Sequence, residues 1–323
     1  AMTGAARHHK PGAPARKHPA ARRAKHHPLR AHRYHGLMDR LLTRFTLAAL
    51  ACAALAACAT SPPLPLTEAE TQRLGTLLPT DVLLLGEQHD APEHQQLQRQ
   101  VVQWLAARGE LATLAMEMAE RGHSSAGLPP SASEAQVRQA LAWNDAGWPW
   151  ATYGPVVMAA VRAGVPVLGA NLPRADMRQA MQDGTLDQRL PAPMLAEQEQ
   201  RIREGHCNAL PEAQIRPMTR VQIARDRAMA DTVTGARTSG RTVLLVAGNG
   251  HVLRGLGVPA HLGENMRSKV LSAQAESAPE AIKNEALKFP DGGLQAGDLR
   301  WRTPPVPPRD HCAAFRKPVP AGR

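Results

Sequence analysis

Residues 82–90 read Val-Leu-Leu-Leu-Gly-Glu-Gln-His-Asp, and residues 242–251 read Thr-Val-Leu-Leu-Val-Ala-Gly-Asn-Gly-His. Each is a short unbroken apolar run that stops at a glycine and turns polar at once. A strand covered on both faces has no solvent side, so it reads as continuous apolar text; this is the signature of a central strand in a parallel sheet. Two more runs follow the pattern, Thr113-Leu114-Ala115-Met116 and Val165-Pro166-Val167-Leu168, and Val270-Leu271 suggests a last strand. Helical stretches separate them. Residues 93–107 place Leu97, Val101, Val102 and Leu105 on one face, and 133–143 open on a capping Ser133 or Ser131 with Glu134 in the first turn. Residues 153–163, 193–204 and 219–236 continue the alternation. Short strands alternating with amphipathic helices predict an α/β fold: a mainly parallel central sheet flanked by helices on both faces, in a single domain.

Charge divides the chain. The 323 residues carry a formal charge of +11, but residues 1–57 hold 11 Lys and Arg against one acid, Asp39. Residues 58–323 keep 28 Lys+Arg against 27 Asp+Glu, so the folded part is nearly neutral and has no basic stripe for nucleic acid. Residues 1–37 are rich in Ala, Arg, His and Pro without apolar periodicity; they are expected to be a disordered extension arising from a start assigned upstream of Met38. Residues 38–57 carry a short positive segment (Arg40, Arg44) and an apolar run from Phe45 to Ala57, too short to span a bilayer comfortably. That run ends in Leu55-Ala56-Ala57-Cys58, which resembles the lipobox of bacterial lipoproteins and predicts lipidation of Cys58. Ala59 is not an inner-membrane retention aspartate, which directs the expectation to an outer-membrane lipoprotein facing the periplasm. Residues 58–78 are expected to be a tether, 79–276 the domain and 277–323 an irregular tail. Cys207 and Cys312 remain after the leader is removed. In an oxidising envelope a disulfide between them is the natural reading, with a metal pair as the alternative.

Polar chemistry collects behind the strands. Glu87 and His89 follow the first, Glu117 and Arg121 end the second, Arg174 follows the third and His251 the fourth. Open α/β sheets bind ligands beyond the carboxyl ends of their strands. Two Gly-x-x-His turns at matching places, 86–89 and 248–251, could project both imidazoles into one cleft, with their glycines allowing a sharp turn. Glu87, His89, Glu117 and His251 could then ligate a divalent metal and activate water for hydrolysis, with Arg174 or Arg121 binding a substrate carboxylate. A hydrogen-bond network that closes the cleft is the alternative. A Gly-x-Ser-x-Gly elbow, a Walker loop and a Gly-x-Gly-x-x-Gly turn are all missing from the sequence.

Five segments in order, LLLGEQHDAPEHQQLQ, LAMEMAERG, WPWATYGPVVMAAVRAGVPVLGANLPR, HCNALPE with ARDRAMA, and LLVAGNGHVLRGLGVP, resemble the ChaN-like family over about residues 79–275. That family is grouped with TraB, Tiki and erythromycin-esterase-like proteins. The resemblance implies a haem-binding lipoprotein with a role in haem or iron uptake, tyrosine ligation of haem, and a homodimer that buries haem between its copies. Only Tyr153 remains after the leader, inside Trp148-Pro149-Trp150-Ala151-Thr152-Tyr153, so it is the tyrosine the resemblance points to. Arg174 and Arg121 become propionate contacts. The superfamily resemblance implies the metal-dependent hydrolase as the alternative function.

Overall fold

Within β1 (Val82–Glu87) the side chains alternate between two cores. Leu83 and Leu85 join one apolar cluster and Val82 and Leu84 the other. This is the period-two geometry of a strand between two layers of helices. The computed structural model describes residues 65–276, 294–307 and 309–313. The segment expected to be a leader, Cys58 and most of the tail lie outside the described residues. Among the described residues no helix is long and apolar enough to cross a membrane.

The elements follow in order α1 (Glu68–Gly75), β1, α2 (Pro92–Ala107), β2 (Leu111–Glu120), α3 (Glu134–Ala140), α4 (Trp150–Arg162), β3 (Val167–Asn171), α5 (Met177–Gln182), α6 (Ala192–Gly205), α7 (Glu212–Gly235), β4 (Thr242–Gly248), β5 (Ser268–Ala275) and β6 (Leu299–Thr303). Every strand pair is parallel, in the order β3-β2-β4-β1-β5-β6. This is the α/β fold expected, with helices on both faces. One face packs α2 and α4 through Leu97, Val101, Val102, Leu105, Val156 and Val157. The other packs α7 through Met229, Ala230 and Val233. A third cluster joins α5, α6 and α7 beyond the sheet (Ala180, Leu195, Ile223).

Several boundaries differ from expectation. The segment expected to be tether holds α1, which Thr67 and Glu70 start with a reciprocal capping box. The third strand sits later, at Val167–Asn171, and the second runs on to Glu120. The last helix before β4 reaches back to Glu212 through Pro217. Part of the tail is also regular. Leu299–Thr303 forms β6 at the sheet edge, with Trp301 buried and Arg300 and Arg302 on the more exposed face. The expected Cys207–Cys312 disulfide is formed.

Candidate functional site

Strand parity decides what each acidic residue meets. Glu87 continues the face of Leu83 and Leu85, so it points toward α2 and α4. There Gln95 and Gln98 donate their amides to Oε2 at 2.5 Å each, and the Tyr153 hydroxyl donates to Oε1 at 2.7 Å. Glu117 follows Met116, which packs on the α2–α4 side, so it faces α7 instead. Its Oε2 accepts the Gly248 N–H at 2.7 Å, and its Oε1 lies 3.3 Å from His251 Nε2. The other nitrogen of His251, Nδ1, is 2.5 Å from Asp226 Oδ1 on α7. Glu87, Glu117, Asp226 and His251 are all buried. Two carboxylate–imidazole systems thus hang from neighbouring strand ends, one above each face of the sheet.

Electrostatics make the deeper system an ion triad. Burial opposes charge on His251, but Glu117 and Asp226 outweigh it and push its pKa up to about 10. Burial would raise Glu117; the His251 charge and hydrogen bond overcome that and bring it down to about 2. Asp226 is pushed up to about 6 by burial, against the pull of His251. His251 is therefore an imidazolium at neutral pH, held on both sides.

His89 belongs to the shallower system. Its side chain is 41% exposed, and Nδ1 lies 2.7 Å from Glu87 Oε1. Burial works against its charge, but Glu87 and Glu117 together raise its pKa. In the neutral ring the Glu87 bond places the proton on Nδ1 and leaves the lone pair on Nε2. That nitrogen is 3.9 Å from Glu117 Oε2, beyond hydrogen-bond range. The Trp148 indole packs edge-on against the His89 ring, with centroids 4.8 Å apart, and meets Tyr153 at 5.8 Å.

The paired glycines work differently from the sharp-turn role expected of them. A Cβ on Gly86 would collide with the Asn249 and Val252 side chains of the second turn. A Cβ on Gly248 would lie 2.9 Å from His89 Nε2 of the first. Each turn occupies the space left by the missing side chain of the other. Asn249 is fixed there by donating to the Ala273 carbonyl and accepting from the Ser272 hydroxyl.

Glu87, His89, Glu117 and His251 are thus brought together as the sequence predicts, but they do not form the expected divalent-metal set. Among the described residues no group of three His, Cys, Asp or Glu is arranged to hold a metal ion. The reason is local: both Glu87 oxygens are taken by Gln95, Gln98, Tyr153 and His89, and His251 has each nitrogen against a carboxylate. Tyr153 is brought in too, but 1% exposed, with its hydroxyl committed to Glu87. Its burial, then the charge of Glu87, raise its pKa. Arg121 is not brought in; it points to Asp231 on α7 at 3.2 Å. Arg174 lines a cavity of about 300 Å³ beyond the ends of β2 and β3, with Glu117, Asn144, Trp148, Leu172 and Arg225. Gln95, Gln98 and Asp226 escaped the sequence reading because they sit inside helices. Gln95 and Gln98 did carry a signal, since two amides one turn apart on a buried helix face require partners.

The sequence from 74 to 262 matches the family model described as haem-binding uptake, Tiki superfamily, ChaN. The chain belongs to this family. Among solved structures, Campylobacter jejuni ChaN, described for its cofacial haem binding, is similar with a TM-score of 0.50 and 22% identity, over 64% of this chain and 85% of that one. At that identity the likeness supports the ChaN fold. No curated protein matches the sequence.

Proposed function

We propose that this protein is a lipid-anchored haem-binding protein of the bacterial envelope that serves haem or iron uptake. Family membership supports the ligand class, and Cys58 with its preceding leader supports the anchor. The observation that carries the reading is His89. It is a half-exposed imidazole with one nitrogen tied to a buried carboxylate and its other lone pair unengaged, packed on an indole that lines a neighbouring cavity. That donor set fits haem. His89 would hold the iron, Trp148 would lie against the porphyrin, and the cavity, at the small end of ligand pockets, would take one edge of the macrocycle. Bound haem would supply the iron centre. This chain's own work is to fix the imidazole: Gln95, Gln98 and Tyr153 hold Glu87, and Glu87 sets the tautomer of His89. For Tyr153 to reach iron, the Glu87 bond would have to break and the phenol leave its apolar surround. We therefore place it as a positioning residue. A homodimer closing over the outer face of the haem is the assembly the family resemblance implies.

The test is a haemin titration of the purified chain followed by absorbance, with His89→Ala and Tyr153→Phe alongside. The proposal expects a saturable Soret band that His89→Ala loses and Tyr153→Phe retains with weaker affinity. No saturable binding by the wild type overturns it. Loss in Tyr153→Phe with retention in His89→Ala restores the tyrosine as ligand.

A second reading is hydrolysis, favoured by the His89–Glu87 pair standing as a general base 3.9 Å from Glu117. Ester or peptide turnover that His89→Ala abolishes and a chelator leaves intact would support it. Turnover lost with a chelator would revive a metal-bound water.

A further inference from the structure

The cavity beside Trp148 has a cationic edge that the iron-facing chemistry does not use. Arg225, the residue before Asp226 on α7, has its Nε buried with no hydrogen-bond acceptor. Arg174, just past the end of β3, lines the same cavity. Its backbone N–H donates to Glu120 at 3.2 Å. Neither guanidinium has a carboxylate within ion-pair distance among the described residues, whereas Arg220 and Arg254 elsewhere are clamped by Asp187 and Asp298. The two acids of the lining do not fill this role: Glu117 is neutralised by His251, and Glu120 faces the Arg174 backbone. The remaining wall sets Met118, Leu172, Met177 and Trp148 beside the amides of Asn144 and Asn171. Two guanidiniums on one cavity, neither with a carboxylate at ion-pair distance among the described residues, select a ligand that presents carboxylates at one edge.

We propose that Arg225 and Arg174 form a carboxylate-binding subsite, which in the haem complex receives the propionates; this rests on the haem reading above. The layout fits the ligand. A porphyrin carries its iron at the centre and both carboxylates on one edge, and here Trp148 touches His89 on one side and lines the arginine cavity on the other. Arg225 adds a second guanidinium to the cavity edge that Arg174 lines.

The experiment compares haemin with haemin dimethyl ester, whose propionates are capped, on the wild type, Arg174→Ala and Arg225→Gln. Absorbance gives the affinities and circular dichroism confirms folding. The expected result is diester binding about tenfold or more weaker than haemin in the wild type, as loss of a charged partner implies. Each variant should lose affinity for haemin but little for the diester. Because the ester comparison on the wild type needs no substitution, a variant that misfolds does not protect the proposal. Equal affinities for haemin and diester overturn the subsite and leave haem binding standing. A weak diester with variants that bind haemin normally places carboxylate recognition elsewhere and also overturns it. A wild type with no saturable Soret band removes the haem reading, and the subsite with it.

Discussion

Asp226→Ala cuts into the deeper ion triad without touching the exposed imidazole. Asp226 is 1% exposed and lies 2.5 Å from His251 Nδ1, inside a helix face that packs on the sheet. Removing one partner of a buried pair leaves the other without compensation and costs about 3–5 kcal/mol. In a domain of this size that lowers the melting temperature by roughly 6–20 °C. The penalty has a ceiling, because His251 keeps Glu117 as its charged partner, with the Gln222 amide 3.1 Å from Nδ1, and can shed its proton once the pH exceeds its lowered pKa. The deficit should therefore be largest at acidic pH and shrink toward alkaline pH. Asp226→Asn keeps an acceptor for Nδ1–H and should lose less, about 1.5–3 kcal/mol for a charged hydrogen bond. Urea denaturation at several pH values, with a constant slope against denaturant, measures both. A loss below about 1 kcal/mol for Asp226→Ala, far under that range, or an equal loss for the two variants, would refute the assignment of His251 as a buried imidazolium.

Three further outcomes follow from the geometry. Gly86→Ala should destabilise by about 1–3 kcal/mol through overpacking against Asn249 and Val252, and should also weaken haemin binding by displacing the second turn; unchanged thermal melting would count against the interlocked turns. Cys312→Ser opens a link between residues 105 positions apart and should cost about 2–4 kcal/mol, read by denaturation with and without reductant on the wild type. Because the folded His251 pKa lies near 10 and its ordinary value is 6.5, its pairing stabilises fully below pH 6.5 and is lost as pH rises toward 10. Wild-type stability should fall across that window and His251→Gln should fall less; equal slopes would argue against it.

The layers of this fold were legible because β1 and β4 are buried on both faces and so spell unbroken apolar runs. The four acidic and imidazole residues at the strand ends were legible for the same reason: an abrupt change from apolar to polar text marks where a strand leaves the sheet. Their partners were not. Asp226 sits in a run of mixed charge on α7, and only the packing of that helix against the sheet buries it more deeply than Arg225 and Arg227 on either side. Tyr153 was found for the right neighbourhood, but whether a phenol faces solvent or a carboxylate depends on Glu87, 66 positions away. Arg121 and Arg174 looked equivalent in sequence, and the turn after β2 sends Arg121 toward Asp231 instead. β6 was obscured by the Pro- and Gly-rich text around it and by alternation of Trp301 with two arginines.

Thr303 on β6 sits 2.9 Å from Nε2 of buried His94, and His94 accepts the N–H of Gln88, next to the exposed imidazole. The loop that carries His89 is thus braced by a strand near the far end of the chain. Synthesis proceeds from the other terminus, so this brace is made only after β1 to β5. A partly emerged chain can lay down β1 to β5 yet lacks the Thr303 bond to His94. A chain that stops short of β6 would therefore carry the His89 loop without its support from Thr303 through His94.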